Sequence, residues 1–380
     1  MAAAPESIRD TEERTQLVHR EIFQLCALVA LAVAAFLVTR AIAISNREMT
    51  LRDAAEWFRR GQVAMRSGDV DAAIDSLRRA TVRDRDDKRY ILALAQALTL
   101  KKDHDGARSV LMTLREAEPE DREVNLQLAR LAAARQDVTE ALRFYHNALY
   151  APWPNDMVDA RRDVRLELAR FLLSHHQTGR ALSELLALTA DMPDEIALHL
   201  QAAQLFADAG DETHALEHFT LALRKDPGKR EAIAGAGLAA FRLGDYAAAR
   251  SYLRRLTDAD DVRGTREVVE LVLSRDPLAP RLGSIERRQR LIGDVEYVDQ
   301  RIQMCIENGN RSVESTTLAT EVQAFVAQLE KPGVLEQDAV EAGVDLLARL
   351  EDEIAQRCLP ATPLDQALAL IGRRHREDPR

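Results

Sequence analysis

Aromatic side chains are scarce in this chain, with two tryptophans, six tyrosines and nine phenylalanines among 380 residues. That scarcity disfavours a β-sandwich or an α/β enzyme core and suits helices packed through alanine and leucine. No segment alternates apolar and polar residues as a half-buried strand would. Lysine occurs only at positions 88, 101, 102, 225, 229 and 331, so arginine carries most of the positive charge, a skew that fits GC-rich bacterial codon usage. The net charge is −10 with both signs scattered along the chain. No basic stripe is present to pair with nucleic acid. A glycine-rich phosphate loop and a serine-histidine-acid arrangement are also missing, and neither an enzyme activity, a cofactor, a metal nor a small-molecule substrate is expected.

What the chain does have is a period of 34 residues. Stretches starting at Ala54, Lys88, Arg122, Arg162, Ile196 and Arg230 share one register. Position 20 of each is alanine: Ala73, Ala107, Ala141, Ala181, Ala215 and Ala249. Position 24 is large, as Leu77, Leu111, Tyr145, Leu185, Phe219 and Leu253, while position 8 is Gly61, Ala95, Ala129, Ala169, Ala203 and Gly237. Small residues at 8 and 20 let two antiparallel helices approach closely, and the bulky residue at 24 wedges into the stack. Position 32 carries Pro119, Pro193 and Pro227, which lack the N–H needed to continue a helix. Between the two helices of a unit stand Ser67-Gly68-Asp69, Ala209-Gly210-Asp211 and Leu243-Gly244-Asp245. There the glycine ends one helix and the aspartate caps the next.

This pattern resembles the tetratricopeptide repeat in period and in its small/large signature. The resemblance implies an all-α fold, a right-handed superhelical solenoid of about six helix pairs, since one pair cannot bury its own apolar stripe. The expected organisation is a tail at 1–21, an apolar anchor at 22–44, a solenoid at 45–263, a capping helix at 264–277 and a C-terminal helical bundle at 278–380. Six extra residues, 156–161, separate the third and fourth units.

Residues 22–39 carry no charge, and with Arg40 snorkelling and 41–44 apolar the segment is long enough to span a bilayer. An uncleaved signal-anchor is favoured over a cleaved signal peptide, because the apolar run is long and the preceding residues include Glu6, Asp10, Glu12, Glu13 and Glu21. Phe23-Gln24-Leu25-Cys26 lacks the small residue that precedes a lipidated cysteine. Arginines flank the span evenly, at 9, 14 and 20 against 40, 47 and 52, so charge chooses the orientation weakly. Keeping the tail in the cytoplasm places the repeats outside a bacterial inner membrane, and the reverse leaves them cytoplasmic.

In the family the first helices line a concave groove. Carried over, its candidate partner-binding residues are Phe58 at position 5, Gln62, Gln96, Arg130, Arg170 and Gln204 at position 9, and Phe241 at position 12. Long amide and guanidinium groups at that spacing can bond an extended peptide backbone. The apolar column at position 5 can equally pack between neighbouring helices. Phe58 and Gln62 replace the basic residue and asparagine with which chaperone-binding members clamp a carboxylate, which argues against that role. Trp153, held between Pro152 and Pro154, is a candidate hot spot or a plug between solenoid halves. Cys305 and Cys358 are expected at one end of an up-down-up helix arrangement, either as a disulfide or as two separate thiols. They are too few for the four-cysteine metal module of a related group of anchored repeat proteins. His214-Ala215-Leu216-Glu217-His218 matches a zinc-peptidase spacing, yet Ala215 and Phe219 already belong to the repeat. The reading is a noncatalytic, membrane-tethered scaffold binding a protein or extended peptide in an envelope complex. Proteins of this kind assist cytochrome maturation, secretion, pilus assembly or envelope quality control. The alternatives are a cytoplasmic-facing adaptor regulating a membrane enzyme or its proteolysis, and a zinc hydrolase at the histidine pair.

Overall fold

The computed structural model describes residues 6–190, 192–256, 260–307, 312–329, 336–357 and 362–377. Among them are helices and turns but no strand. In chain order the helices are α1 (Glu6–Ser67), α2 (Val70–Arg83), α3 (Lys88–Leu100), α4 (His104–Ala117), α5 (Arg122–Ala134) and α6 (Val138–Tyr150). A single 3-10 turn at Asn155–Met157 leads into α7 (Val158–Ser174) and α8 (Thr178–Thr189). Then come α9 (Ile196–Asp208), α10 (Glu212–Lys225), α11 (Arg230–Arg242) and α12 (Tyr246–Leu253). Five further helices follow: α13 (Asp260–Arg275), α14 (Ser284–Glu307), α15 (Val313–Leu329), α16 (Gln337–Arg357) and α17 (Pro363–Glu377). The chain forms two compact units, Met1–Val164 and Arg165–Arg380.

Each turn inside a repeat is built the same way. Position 15 takes a left-handed conformation, by Gly68, Gly210 and Gly244 at φ 80°, 77° and 76°, but also by Lys102, Gln136 and His176 at φ 65°, 59° and 56°. The next residue's N–H reaches back five residues, as in Asp69 to the Ala64 carbonyl (3.0 Å) and Asp137 to the Ala132 carbonyl (3.0 Å). This is the double-bonded helix stop that satisfies orphan carbonyls. The residue that closes it then opens the following helix. Asp69, Asp103, Asp137, Asp211 and Asp245 each accept a backbone N–H of the next first turn.

Packing follows the repeat. All six alanines at position 20 are fully buried, and the wedges at position 24 are at most 3% exposed. Glycine at position 8 has a steric cause where it occurs. A Cβ on Gly61 would lie 2.6 Å from Leu77 Cγ, and one on Gly237 would lie 2.4 Å from Leu253 Cδ2. Burying each leucine wedge contributes about 1.5–3 kcal/mol, and the small partner at position 8 makes that burial sterically feasible.

Two junctions set how repeats one and four begin. The apolar segment and the first helix of repeat one are a single unbroken helix, α1. No glycine or proline interrupts residues 6–60, so no residue stops it. The extra residues before repeat four are taken up by the 3-10 turn and by the start of α7, at Val158.

Beyond the repeats, α14 packs on α15 and α16, and α17 packs on α13 and α16. Leu291, Val295, Val298 and Ile302, three to four residues apart on α14, form one buried stripe. Capping helix α13 begins at Asp260, earlier than the 264 expected from sequence.

Candidate functional site

Positions 8, 20 and 24 are consumed by packing, whereas position 9 of the first helices stays open to solvent. Gln62, Gln96, Arg130, Arg170 and Gln204 are all exposed. In the second unit, Arg170 and Gln204 line one open cleft of about 650 Å³ together with Leu200, Gln201, Lys229 and Glu231. Gln204 donates to Asp208 (2.8 Å), and Arg170 reaches the Gln201 amide oxygen at 3.5 Å. The cleft therefore presents donors and acceptors of both signs along an apolar floor, a lining suited to backbone amides and mixed side chains.

The apolar column at position 5 packs into the stack to a large extent. Leu126, Leu166 and Leu200 are 6%, 4% and 8% exposed. Phe58 is half-buried against Tyr90, with ring centroids 4.7 Å apart. Position 9, not position 5, supplies the accessible chemistry.

A family model for the tetratricopeptide domain of cytochrome c-type biogenesis protein H matches residues 47–157, and a second tetratricopeptide-repeat model matches residues 200–263. The chain is a tetratricopeptide-repeat protein. Among solved structures, the Pseudomonas aeruginosa protein PilF is similar at 16% identity and TM-score 0.41, over 56% of this chain and 94% of that one. PilW, a type IV pilus biogenesis factor, gives 17% identity and TM-score 0.41 over 56% and 97%. YrrB, a repeat protein with a peptide-binding site, gives 18% identity and TM-score 0.38 over 48% and 91%. No curated protein matches the chain.

The remaining candidate residues of this repeat protein are placed as follows. Trp153 folds back on repeat three: its indole N–H donates to the Ala148 carbonyl (2.9 Å), and the Arg122 guanidinium lies 5.4 Å from its ring. Phe241 is half-buried, edge-on to Tyr246 at 5.9 Å, and lines a second cleft formed with α14, α16 and α17. Cys305 is buried at 5% exposure, and Cys358 lies outside the described residues.

Both histidines of the zinc-peptidase spacing are engaged within repeat five. His214 bonds its helix cap Asp211 (2.7 Å) and stacks on Phe206 at 5.0 Å. His218 is buried, with its Nδ1 3.1 Å from Nδ1 of His199, whose Nε2 lies 3.0 Å from Asp194. With Nε2–H of His199 donating to Asp194, its Nδ1 accepts from His218 Nδ1–H. Burial pushes His218 below the ordinary histidine range, and His199 adds to the shift while Glu217 opposes it. Among the described residues no group of three or more His, Cys, Asp and Glu side chains is placed to hold a metal ion. Sequence reading missed His199, which stands at position 4 of the same repeat. The signal available was two histidines 19 residues apart on facing helices.

Proposed function

We propose that this chain is a noncatalytic, membrane-tethered scaffold that holds a partner protein, through an extended segment, on the first-helix face of its repeats. The observation that carries the reading is the exposed position-9 side chains, Gln62, Gln96 and Arg130 in the first unit and Arg170 and Gln204 in the second, on helices whose position-8 residues are buried. The latter two open onto the 650 Å³ cleft. Tethering is supported by α1, whose stretch Arg20–Ser67 contains a window long and apolar enough to cross a membrane, with none of that window buried. The proposed setting is a bacterial inner membrane with the repeats on its outer side. Of the envelope processes open to such a scaffold, cytochrome c biogenesis is the one named by the family model that matches residues 47–157.

The test is photo-crosslinking in cells from positions 62, 96, 170 and 204, with the exposed second-helix residues Arg78 and Glu217 as controls. Defined partner bands are expected from the first set only. Substituting all five position-9 residues with alanine is expected to abolish them, at a stability cost within about 0.5 kcal/mol per surface site. Equal crosslinking from both helix faces, or capture unaffected by the five substitutions, refutes the groove. A periplasmic reporter fused after Arg380 that stays silent while a cytoplasmic one is active reverses the orientation and leaves the groove standing.

A further inference from the structure

The cleft beside Phe241 has a chemistry unlike the first-helix face. Its volume is about 330 Å³, and its walls include Phe241 of α11, Ile354 of α16 and Leu370 of α17. Its charged lining is Arg301, Glu351, Asp365 and Arg373. Asp365 is fully engaged: Arg301 Nη1 lies 2.5 Å from Oδ2, Tyr297 Oη donates to Oδ1 (2.7 Å), and the Thr362 N–H donates to Oδ2 (2.6 Å). Arg301 and Asp365 therefore cancel each other in charge. Arg373 is exposed at the rim, where solvent screens it.

Glu351 is left over. It is 3% exposed, and its Oε1 is buried without a hydrogen-bond partner among the described residues. A buried carboxyl oxygen without a partner is destabilising, and a group kept at such a cost in a cleft is a functional candidate. What Glu351 Oε1 lacks is a donor, preferably one bringing positive charge, on a stem that can lie along the apolar walls. Lysine and arginine side chains have that construction.

We propose that this cleft is a docking pocket for a basic side chain of a partner protein, with Glu351 as the ion-pairing group and Phe241, Ile354 and Leu370 as the wall for its methylene stem. The choice of a protein side chain as occupant rests on the scaffold reading above, whereas the cation site itself stands on the cleft alone. The groups facing Glu351 are Arg301 of α14, Asp365 and Arg373 of α17, and Asp352 on its own helix. Helix α15, which packs on α16, places Glu321 against Arg349. Burial first, then Asp365 and Asp352, push Glu351 up to about 8, against the opposing pull of Arg301. A cation entering at neutral pH therefore displaces a proton from Glu351.

The experiment is titration calorimetry of the detergent-solubilised full chain with N-acetyl-lysine methylamide and its norleucine, glutamine and glutamate counterparts, at pH 7 and pH 9. The lysine compound is expected to bind at least about tenfold tighter than the other three. Its affinity should rise about tenfold from pH 7 to pH 9, as the ionised fraction of a group titrating near 8 grows. Buffers of different ionisation enthalpy should show close to one proton released at pH 7. Glu351→Gln should remove the pH dependence while the melting temperature holds or rises. The wild-type series decides the matter even if that variant misfolds. No preference for lysine, preference for glutamate, or a flat pH profile overturns the pocket. Tighter binding of cadaverine than of the lysine compound overturns the protein side chain as occupant. None of these outcomes bears on the crosslinking test of the first-helix face.

Discussion

Replacing Lys102, Gln136 and His176 together with glycine is expected to stabilise the protein. These residues hold φ of 65°, 59° and 56° at the position where three other repeats use glycine. An L-residue in that region costs about 1–2 kcal/mol, while glycine costs about 0.5–1 kcal/mol through unfolded-state entropy. The balance is a gain of roughly 0.5–1 kcal/mol per site, or about 1.5–3 kcal/mol for all three. All three side chains are exposed, so little else is removed. The reciprocal changes Gly68→Ala, Gly210→Ala and Gly244→Ala isolate the same quantity, because a Cβ at each would meet nothing within 4 Å. Each should cost about 1 kcal/mol of backbone strain with no clash. The assay is urea unfolding followed by circular dichroism, paired with amide exchange of the flanking helices, because repeats can open separately. If the triple glycine variant unfolds at the same or lower urea while the three alanine variants are neutral, the left-handed turn is not where these repeats store strain.

Three further outcomes are expected. Ala141→Leu overpacks a fully buried contact of repeat three and should cost about 1–3 kcal/mol in the same urea assay. The pH dependence of stability should carry two opposed contributions between about pH 4 and 8. Burial holds His218 below the ordinary histidine range, so its contribution is complete above about pH 6.5 and is lost as pH drops towards its folded value. Asp294 and Glu351 are raised by burial to about 7 and about 8, so their contribution is complete below pH 4 and is lost as pH rises through those values. Melting temperatures from pH 4 to 9 check this, and Asp294→Asn with Glu351→Gln should remove the decline between about pH 4 and 8 while leaving the His218 contribution in place. Finally, a Cys305–Cys358 bridge would stabilise by roughly 4 kcal/mol in the chain-entropy model. Thiol labelling of protein taken directly from cells should leave both unmodified until reductant is added, and labelling of both without reductant sinks the bridge.

The repeats were legible because their rule is local and recurs. Alanine at position 20 and a wedge at 24 place α2 to α6 and α8 to α12 before any coordinate is seen, and helices α3, α5, α9 and α11 begin at the residues where the register starts. Position 15 was legible where it is glycine and hidden where Lys102, Gln136 and His176 take the same conformation, because the backbone imposes it there against their own preference. A helical bundle was expected at 278–380, yet its buried charges were not. Asp294 and Glu351 look like surface acids in a sequence, and only the packing of α14, α16 and α17 shows them enclosed. His199 was missed for the same reason, since its partner comes from the facing helix. The accessible residues at position 9 came from the family register. Phe58 and Phe241, from the same register, are instead half-buried in packing.

Helix α1 carries a mechanical consequence. A flexible linker would let the repeats wander and sample partners at many heights, whereas an uninterrupted helix fixes a stand-off. At about 1.5 Å per residue, residue 54 lies roughly 15 Å along the axis from residue 44. With residues 22–44 in a bilayer, as proposed, tilting the span tilts Phe58 and Gln62 with it, because both sit on the same rod. Repeat one would then meet its partner at a set height and angle above the lipid surface, and two glycines inserted near residue 47 would convert that aimed encounter into a tethered search.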